Sequence, residues 1–158
     1  MNWSSWLVWG FGATVILTSL LAGSQGLGMT RMNLPYMLGT MFTPDRDRAK
    51  LIGFGVHLLN GWVFSLLYVA TFTALHRATW WIGGIIGVVH ASFVLTAGMR
   101  VLPGLHPRMA SEQHGPTVAK QLEPPGFLAL NYGVRTPIAA YVAHIVFGIV
   151  LGSFYPLH

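Results

Sequence analysis

The sequence predicts an all-α, polytopic membrane protein whose four transmembrane helices form two repeated helical hairpins. The first observation is composition: 53% of the residues are hydrophobic and only 8% are charged, against about 25% in an ordinary soluble domain. Four stretches lack Asp, Glu, Lys and Arg, and each is about 18 to 25 residues long, enough to cross a hydrocarbon core of roughly 30 Å. Finally, a pattern of His, Gly and Tyr recurs in the second and fourth stretches.

The charge balance and the absence of cysteine exclude several classes of protein. Nine Lys and Arg and four Asp and Glu are too few to solvate the surface of a water-soluble enzyme. The net charge of +5 matches the basic loops of membrane proteins, so we expect a lipid bilayer and no nucleic acid as partner. A chain without cysteine has no disulfides, thiolate zinc sites or Fe–S ligands. Its 158 residues predict a single membrane domain, residues 1–158.

The predicted spans are residues 6–28, 51–75, 80–98 and 137–154. The first span lacks a basic n-region and is too long for the apolar part of a signal peptide, so we expect it to be retained. Thr43 as N-cap and Pro44 at the first helical position predict the start of the second helix, which projects into water before it enters the bilayer. Thr136 and Pro137 repeat that signal before the fourth span, and Pro156 ends it.

The basic residues predict the orientation of the chain. Only Arg77 lies in the hairpin between the second and third spans. The two long loops contain the other eight, which are Arg31, Arg46, Arg48, Lys50, Arg100, Arg108, Lys120 and Arg135. We expect a multi-pass protein of the cell inner membrane, and this asymmetry predicts that the long loops are cytoplasmic and that both termini lie outside. The second loop, about residues 99–136, is Pro-rich and long enough that we expect it to be functional, partner-bound or disordered.

An internal repeat relates the second and fourth spans. His57, Gly61 and Tyr68 recur at identical spacing as His144, Gly148 and Tyr155. The first and third spans align more weakly, through apolar segments at residues 12–23 and 87–98 that both end in Ala-Gly. The pattern predicts two copies of one hairpin, about residues 1–75 and 76–158, related by a pseudo-two-fold axis along the membrane normal.

Small residues and tyrosines follow narrow stripes on the predicted helices. Small residues at four-residue spacing let helix backbones approach closely in lipid. We therefore expect a helix-packing role for Gly53, Gly61, Tyr68, Gly83, Gly87, Gly148, Gly152 and Tyr155. The alternative is a substrate groove lined by glycine.

Three histidines, His57, His90 and His144, lie well inside the spans at similar predicted depth. An ionisable side chain in a span faces the bundle interior or a cavity by default. One interpretation makes His57 and His144 axial ligands of a haem b. In a second, the three imidazoles bind copper or zinc, and in a third they bind a quinone or a lipid head group. In the fourth interpretation they are neutral and only bond carbonyls, Thr hydroxyls or Asn60 across helix contacts.

The loops add one weak metal candidate, formed by His106, Glu112 and His114, whose spacing is common by chance. The chain has no Ser-His-Asp order, no phosphate-binding loop and no paired carboxylates, so the sequence does not support an enzyme. The function we expect is a non-catalytic accessory or structural subunit of a larger membrane complex. The alternative is a membrane protein that binds haem, metal or quinone through its intramembrane histidines.

The repeated H-x3-G-x6-Y hairpins and the segment GMTRMNLPYMLG at residues 28–39 resemble features of a known family. The chain resembles a family of small, functionally uncharacterised four-helix bacterial membrane proteins over most of its length, except the Pro-rich loop. The resemblance implies the architecture alone, since no activity, cofactor or site residue follows from it.

Overall fold

The computed structural model describes residues 1–111 and 113–157, and within them the protein is all-helical. This confirms the predicted fold class, because four of the helices are long and apolar enough to span a membrane. In chain order the helices are α1 Trp3–Gly26, α2 Leu34–Gly39, α3 Arg46–Ala74, α4 Trp80–Leu105 and α5 Thr136–Phe154. A short turn segment, Phe127–Tyr132, precedes α5.

Helix α4 continues seven residues beyond its predicted end at Gly98, through a final segment Met99–Leu105. Pro103 lies inside this segment and removes a single backbone donor near the helix end, where the loss is small. Met99 is buried against the loops, so packing favours the extra turns. The Pro-rich loop is correspondingly shorter than the predicted 99–136.

The predicted N-cap of α3 is wrong by two residues. Asp45 caps the helix, and its Oδ1 accepts a hydrogen bond of 2.8 Å from the backbone N–H of Arg48. A carboxylate caps as well as a Thr hydroxyl and also interacts favourably with the positive end of the helix dipole. Thr136 is not a cap either, because it is the first residue of α5 and its hydroxyl lies 2.6 Å from that of Thr30.

The four long helices pack side by side in the order α3, α1, α5, α4. Helices α3 and α4 follow each other in the chain, yet within the described residues they make almost no backbone contact. Among the four long helices, the closest contact joins α4 to α5, where the backbones meet at Gly83 and Gly148. A Cβ atom on either glycine would overlap the carbonyl oxygen of the other.

The remaining glycines of the predicted packing set also face neighbouring backbone or side chains. Gly87 lies against the His144 carbonyl and Gly152 against the Thr79 carbonyl, which extends the contact with α5 over about two turns. Gly61 faces Thr14 on α1, and Gly53 faces the Pro35 carbonyl on α2. The two tyrosines differ: Tyr68 bonds His90, whereas the Tyr155 hydroxyl accepts from the Asn2 backbone at 2.7 Å.

A cluster of buried hydrophobic residues lies at the end of the bundle that carries the two long loops, which we call the loop side. Its buried residues come from both loops and from the adjacent ends of α4 and α5, and they are Met32, Met37, Leu95, Met99, Met109, Ala129, Tyr132 and Ala140. The backbone of Arg31 donates to the Tyr132 carbonyl at 2.8 Å, which joins the first loop to the second. The loops therefore form a packed layer beneath the helices.

The Gly83 contact predicts a sharp difference between two adjacent glycines. Ala at position 83 would overlap the Gly148 carbonyl, whereas a Cβ at Gly84 meets only Ile149 Cγ1 at 3.5 Å, an ordinary contact. We expect Gly83→Ala to lower the free energy of unfolding in detergent micelles by about 2 kcal/mol, as overpacking does. The Gly84→Ala control should be neutral or slightly more stable, because Ala favours helix. Equal stability of the two variants would contradict this packing.

Candidate functional site

Three helices each contribute one histidine to the wall of a single cavity in the loop-side half of the bundle. His57 comes from α3, His90 from α4 and His144 from α5, and the cavity volume is about 200 Å³. We call this cavity the histidine cleft. The structure thus brings together the three intramembrane histidines that the sequence singled out.

The cleft lies in the gap between α3 and α4. Asn60 lines it and is exposed, and His57 and His90 are half-buried, whereas His144 is only 6% exposed. This gradient of exposure runs from the gap between the two helices toward α5. The two helices that flank this gap, α3 and α4, are both long and apolar enough to span a membrane.

The floor of the cleft is formed by the loop side. Met32, Leu34 and Met37 approach from the first loop and α2, while Met99 and Leu102 come from the end of α4. These side chains are apolar, and methionine adapts its shape to irregular spaces. The imidazoles and the Asn60 amide are therefore the polar side chains of an otherwise apolar cavity.

His57 is positioned by α1. Its Nδ1 lies 3.0 Å from the hydroxyl of Thr18, and that hydroxyl donates to the Thr14 carbonyl at 2.7 Å. The close approach of α1 to α3 at Gly61 and Thr14 brings Thr18 within reach of the ring. The hydrogen bond between Thr18 and His57 therefore depends on the close contact between α1 and α3.

His90 is held by aromatic side chains of α3. Its Nδ1 lies 3.1 Å from the Tyr68 hydroxyl, and its ring stacks on Phe64 with a centroid distance of 5.0 Å. On its other side the ring meets His144 edge to face, with centroids 4.8 Å apart. These contacts close the cleft on the side away from the loops.

His144 bonds its own helix. Its Nδ1 donates to the Ala140 carbonyl at 2.8 Å, one turn back along α5. Gly87 lies directly against the His144 backbone, so the closest α4–α5 contact and the histidine occupy the same turn. Among the described residues, Nε2 of His57, His90 and His144 has no hydrogen-bond partner in the protein.

The size of the cleft argues against haem, and the arrangement of the side chains argues against a metal ion. An engineered cavity of about 150 Å³ holds one benzene ring, and sites for drug-sized ligands measure about 300–1,000 Å³. A cleft of about 200 Å³ therefore accommodates one substituted ring and not a porphyrin. Within residues 1–111 and 113–157, no group of three His, Asp or Glu side chains is arranged to hold a metal ion.

The loop histidines are placed apart from the cleft. His106 is 1% exposed, its Nε2 donates to the Met37 carbonyl at 2.9 Å, and its Nδ1 accepts from the Arg108 backbone at 3.1 Å. His114 is exposed and lies 3.4 Å from the Ser111 hydroxyl. Glu112, the third member of the weak metal candidate, lies outside the described residues.

Burial shifts the pKa of two side chains on the loop side, His106 and Tyr132. It lowers the pKa of His106, and the hydrogen bond to Met37 opposes that shift in part. Burial, and then the charge of Glu123, raises the pKa of Tyr132 to about 12. The Tyr132 phenol therefore stays protonated and donates to the Glu123 backbone carbonyl at 2.5 Å.

Sequence reasoning missed the residues that orient the histidines. Thr18 belongs to a ladder of small residues on α1, a pattern that indicates helix packing, and its bond to His57 becomes visible only across the α1–α3 contact. Val94–Gly98, a π-helical turn that lines the cleft from α4, has no sequence signal. Such turns occur frequently at functional sites.

Comparison with protein-family models, with curated proteins and with solved structures finds no match to this chain. The resemblance inferred from the sequence therefore stays a prediction, and the arguments about function rest on the geometry of the cleft.

His106 predicts a pH dependence of stability. The pKa of His106 is lowered on folding, so the unfolded chain binds its proton more readily. The contribution of His106 to the free energy of unfolding is fully present above the unfolded pKa of about 6.5, and it falls as the pH drops below that value. We expect the loss of unfolding free energy between pH 7.5 and 5.5 to be smaller in His106→Gln than in wild type. His114→Gln, an exposed control, should follow wild type; a His106→Gln curve parallel to wild type would contradict the assignment.

Proposed function

We propose that the protein binds one small amphiphilic molecule from the bilayer in the histidine cleft, with a head group the size of one substituted ring, as in a quinone. The observation that carries this proposal is that three helices each direct a histidine at one cavity whose wall is otherwise apolar. Ligand sites have this composition, with a few convergent polar groups in an apolar cavity.

The hydrogen bonding of the histidines supports a ligand over a purely structural role. His106 shows what a structural histidine looks like in this chain, because both of its ring nitrogens are bonded to backbone. Each histidine of the cleft uses only Nδ1. Leaving a polar nitrogen unpaired in an apolar environment costs free energy, and a bound head group would recover that cost.

The position of the cleft supports supply of the ligand from the membrane. Asn60 stands at the exposed edge between α3 and α4, and around it the outer surface of α3 is apolar, with Leu59 57% exposed and Val63 51% exposed. A ring can therefore enter sideways while a hydrocarbon tail remains among the lipids.

The proposal includes an orientation. Eight of the nine Lys and Arg residues lie in the two long loops, which supports a bacterial inner-membrane protein with cytoplasmic loops and both termini outside. The cleft would then occupy the cytoplasmic half of the bilayer. The repeat of His, Gly and Tyr between α3 and α5 supports an origin by duplication of one hairpin.

A second candidate function is a non-catalytic accessory subunit of a larger membrane complex. The six glycines with a predicted helix-packing role contact neighbouring parts of this chain and are not left for a partner, which weakens that candidate. In its favour, Gly12, Gly23 and Gly55 have nothing within 4 Å of a Cβ position. Small outward-facing residues are enriched where transmembrane helices meet.

Filling the cleft should weaken ligand binding. Val94 lines the cleft, whereas Val88 lies on the same helix with 42% exposure and outside the lining. We expect 4-octylphenol to bind the purified protein in lipid nanodiscs at a saturable site. Val94→Trp should weaken binding at least about tenfold through lost space, whereas Val88→Trp should bind as wild type does. Unaltered affinity in Val94→Trp would reject the cleft as the site.

The orientation can be tested independently because the chain has no cysteine. Ser4→Cys marks the exposed N-terminal end and Val118→Cys marks the second loop, where Val118 is 95% exposed. In intact bacterial spheroplasts, a membrane-impermeant maleimide should label position 4, and position 118 only after permeabilisation. Labelling of position 118 without permeabilisation, and not of position 4, would invert the topology.

A further inference from the structure

The donor and acceptor roles of His57 follow from its partner. Thr18 has one hydroxyl proton, and both of its hydrogen bonds can form together only if that proton goes to the Thr14 carbonyl 2.7 Å away, which is the bond that the structure has. Toward His57 the Thr18 oxygen therefore accepts, and His57 Nδ1 carries the proton. A neutral imidazole has a single N–H, which leaves Nε2 of His57 as an acceptor.

His144 has the same tautomer for a simpler reason. The Ala140 carbonyl cannot donate, so Nδ1 of His144 must donate across the 2.8 Å bond. Nε2 of His144 is then an acceptor as well. The cleft thus presents two acceptors that have no donor among the described residues.

His90 has the opposite tautomer. The Tyr68 hydroxyl is buried, and His90 Nδ1 is its hydrogen-bond partner among the described residues. If the imidazole donated, the phenol proton would be left buried without an acceptor, at the full cost of an unmade bond. Tyr68 therefore donates to Nδ1, and His90 Nε2 carries an N–H that can donate to a ligand.

Resting on the proposed ligand-binding function, we infer that the cleft selects a head group bearing a hydroxyl, such as a hydroquinone, over its carbonyl or ether counterpart. A hydroxyl both donates and accepts, so it can pair with an acceptor nitrogen of His57 or His144 and with the N–H of His90. A quinone carbonyl or an ether oxygen only accepts and leaves both acceptor nitrogens unpaired. The Asn60 amide at the edge contains a donor and an acceptor and does not discriminate.

The inference concerns binding of the reduced, hydroxyl-bearing form and includes no electron transfer. The volume of about 200 Å³ limits the head group to one ring with small substituents, and the gap between α3 and α4 lets a tail extend into the bilayer. The chemical class is therefore a hydroxyl-bearing ring with an alkyl or isoprenoid tail.

Matched probes test the selection in the full-length protein in lipid nanodiscs. The probes are 4-octylphenol, its methyl ether and octylbenzene, which share ring and tail. We expect the phenol to bind at least about tenfold more tightly than the ether, because only the phenol can donate to the acceptor nitrogens of the cleft. Octylbenzene should bind no more tightly than the ether, which would exclude bulk as the cause.

Thr18→Val tests the origin of the preference without altering the cleft lining. Valine has the shape of threonine but cannot accept from His57 Nδ1, so the His57 proton is free to move to Nε2 and the acceptor is lost. The preference for phenol over ether should fall severalfold. Thr73→Val is the control, because the Thr73 hydroxyl also bonds a carbonyl of its own helix and bonds none of the three histidines of the cleft; it should retain the wild-type preference.

Nitrogen-15 NMR of histidine-labelled protein reads the tautomers directly and does not depend on any ligand. We expect Nδ1–H at His57 and His144 and Nε2–H at His90. Nε2–H at both His57 and His144, or equal affinity of wild type for phenol and ether, would overturn the hydroxyl selection while the cleft remained a binding site. Absence of saturable binding for all three probes would instead withdraw the proposed function together with this inference.

Discussion

The backbone contact between α4 and α5 is the constraint on which the rest of the structure depends. Lipid tails are as apolar as leucine, so helices in a membrane associate through close packing and hydrogen bonds rather than through burial. Gly83, Gly87, Gly148 and Gly152 provide that packing because none of them places a Cβ between the two backbones. With α4 held against α5, the space between α3 and α4 stays open, and it becomes the histidine cleft.

The same helix turns carry the packing contact and the polar site. Gly87 and His90 are three residues apart on α4, and His144 and Gly148 are four apart on α5, so each histidine is adjacent to a glycine on its helix surface. A change in the distance between α4 and α5 would therefore move His90 relative to His144, whose rings are in edge-to-face contact. Stability and binding are coupled in this arrangement.

Among the residues that the structure describes, the four buried or half-buried histidines divide into two kinds. His106 has both ring nitrogens bonded to backbone and ties the second loop to α2. Each of the three histidines of the cleft uses Nδ1 in a hydrogen bond that fixes its ring and leaves Nε2 without a partner among the described residues. Nδ1 of His57 and of His144 bonds an acceptor, whereas Nδ1 of His90 bonds a donor. Nε2 of His57 and His144 can therefore accept from a ligand, and Nε2 of His90 can donate to one.

The sequence alone determined the fold class, the number of spans and the identity of the three histidines. These depend on hydrophobic length, on the absence of charge and on the cost of an ionisable group in lipid, all of which are local properties. Local signals were less reliable at helix ends, where Asp45 rather than Thr43 caps α3 and packing extends α4 to Leu105. Only the tertiary structure decided which helices are neighbours, because equally apolar helices have no preferred partner until their glycines are matched face to face. That matching separated α3 from α4, placed Thr18 beside His57 and Tyr68 beside His90, and so determined the tautomers and the donor and acceptor pattern of the cleft.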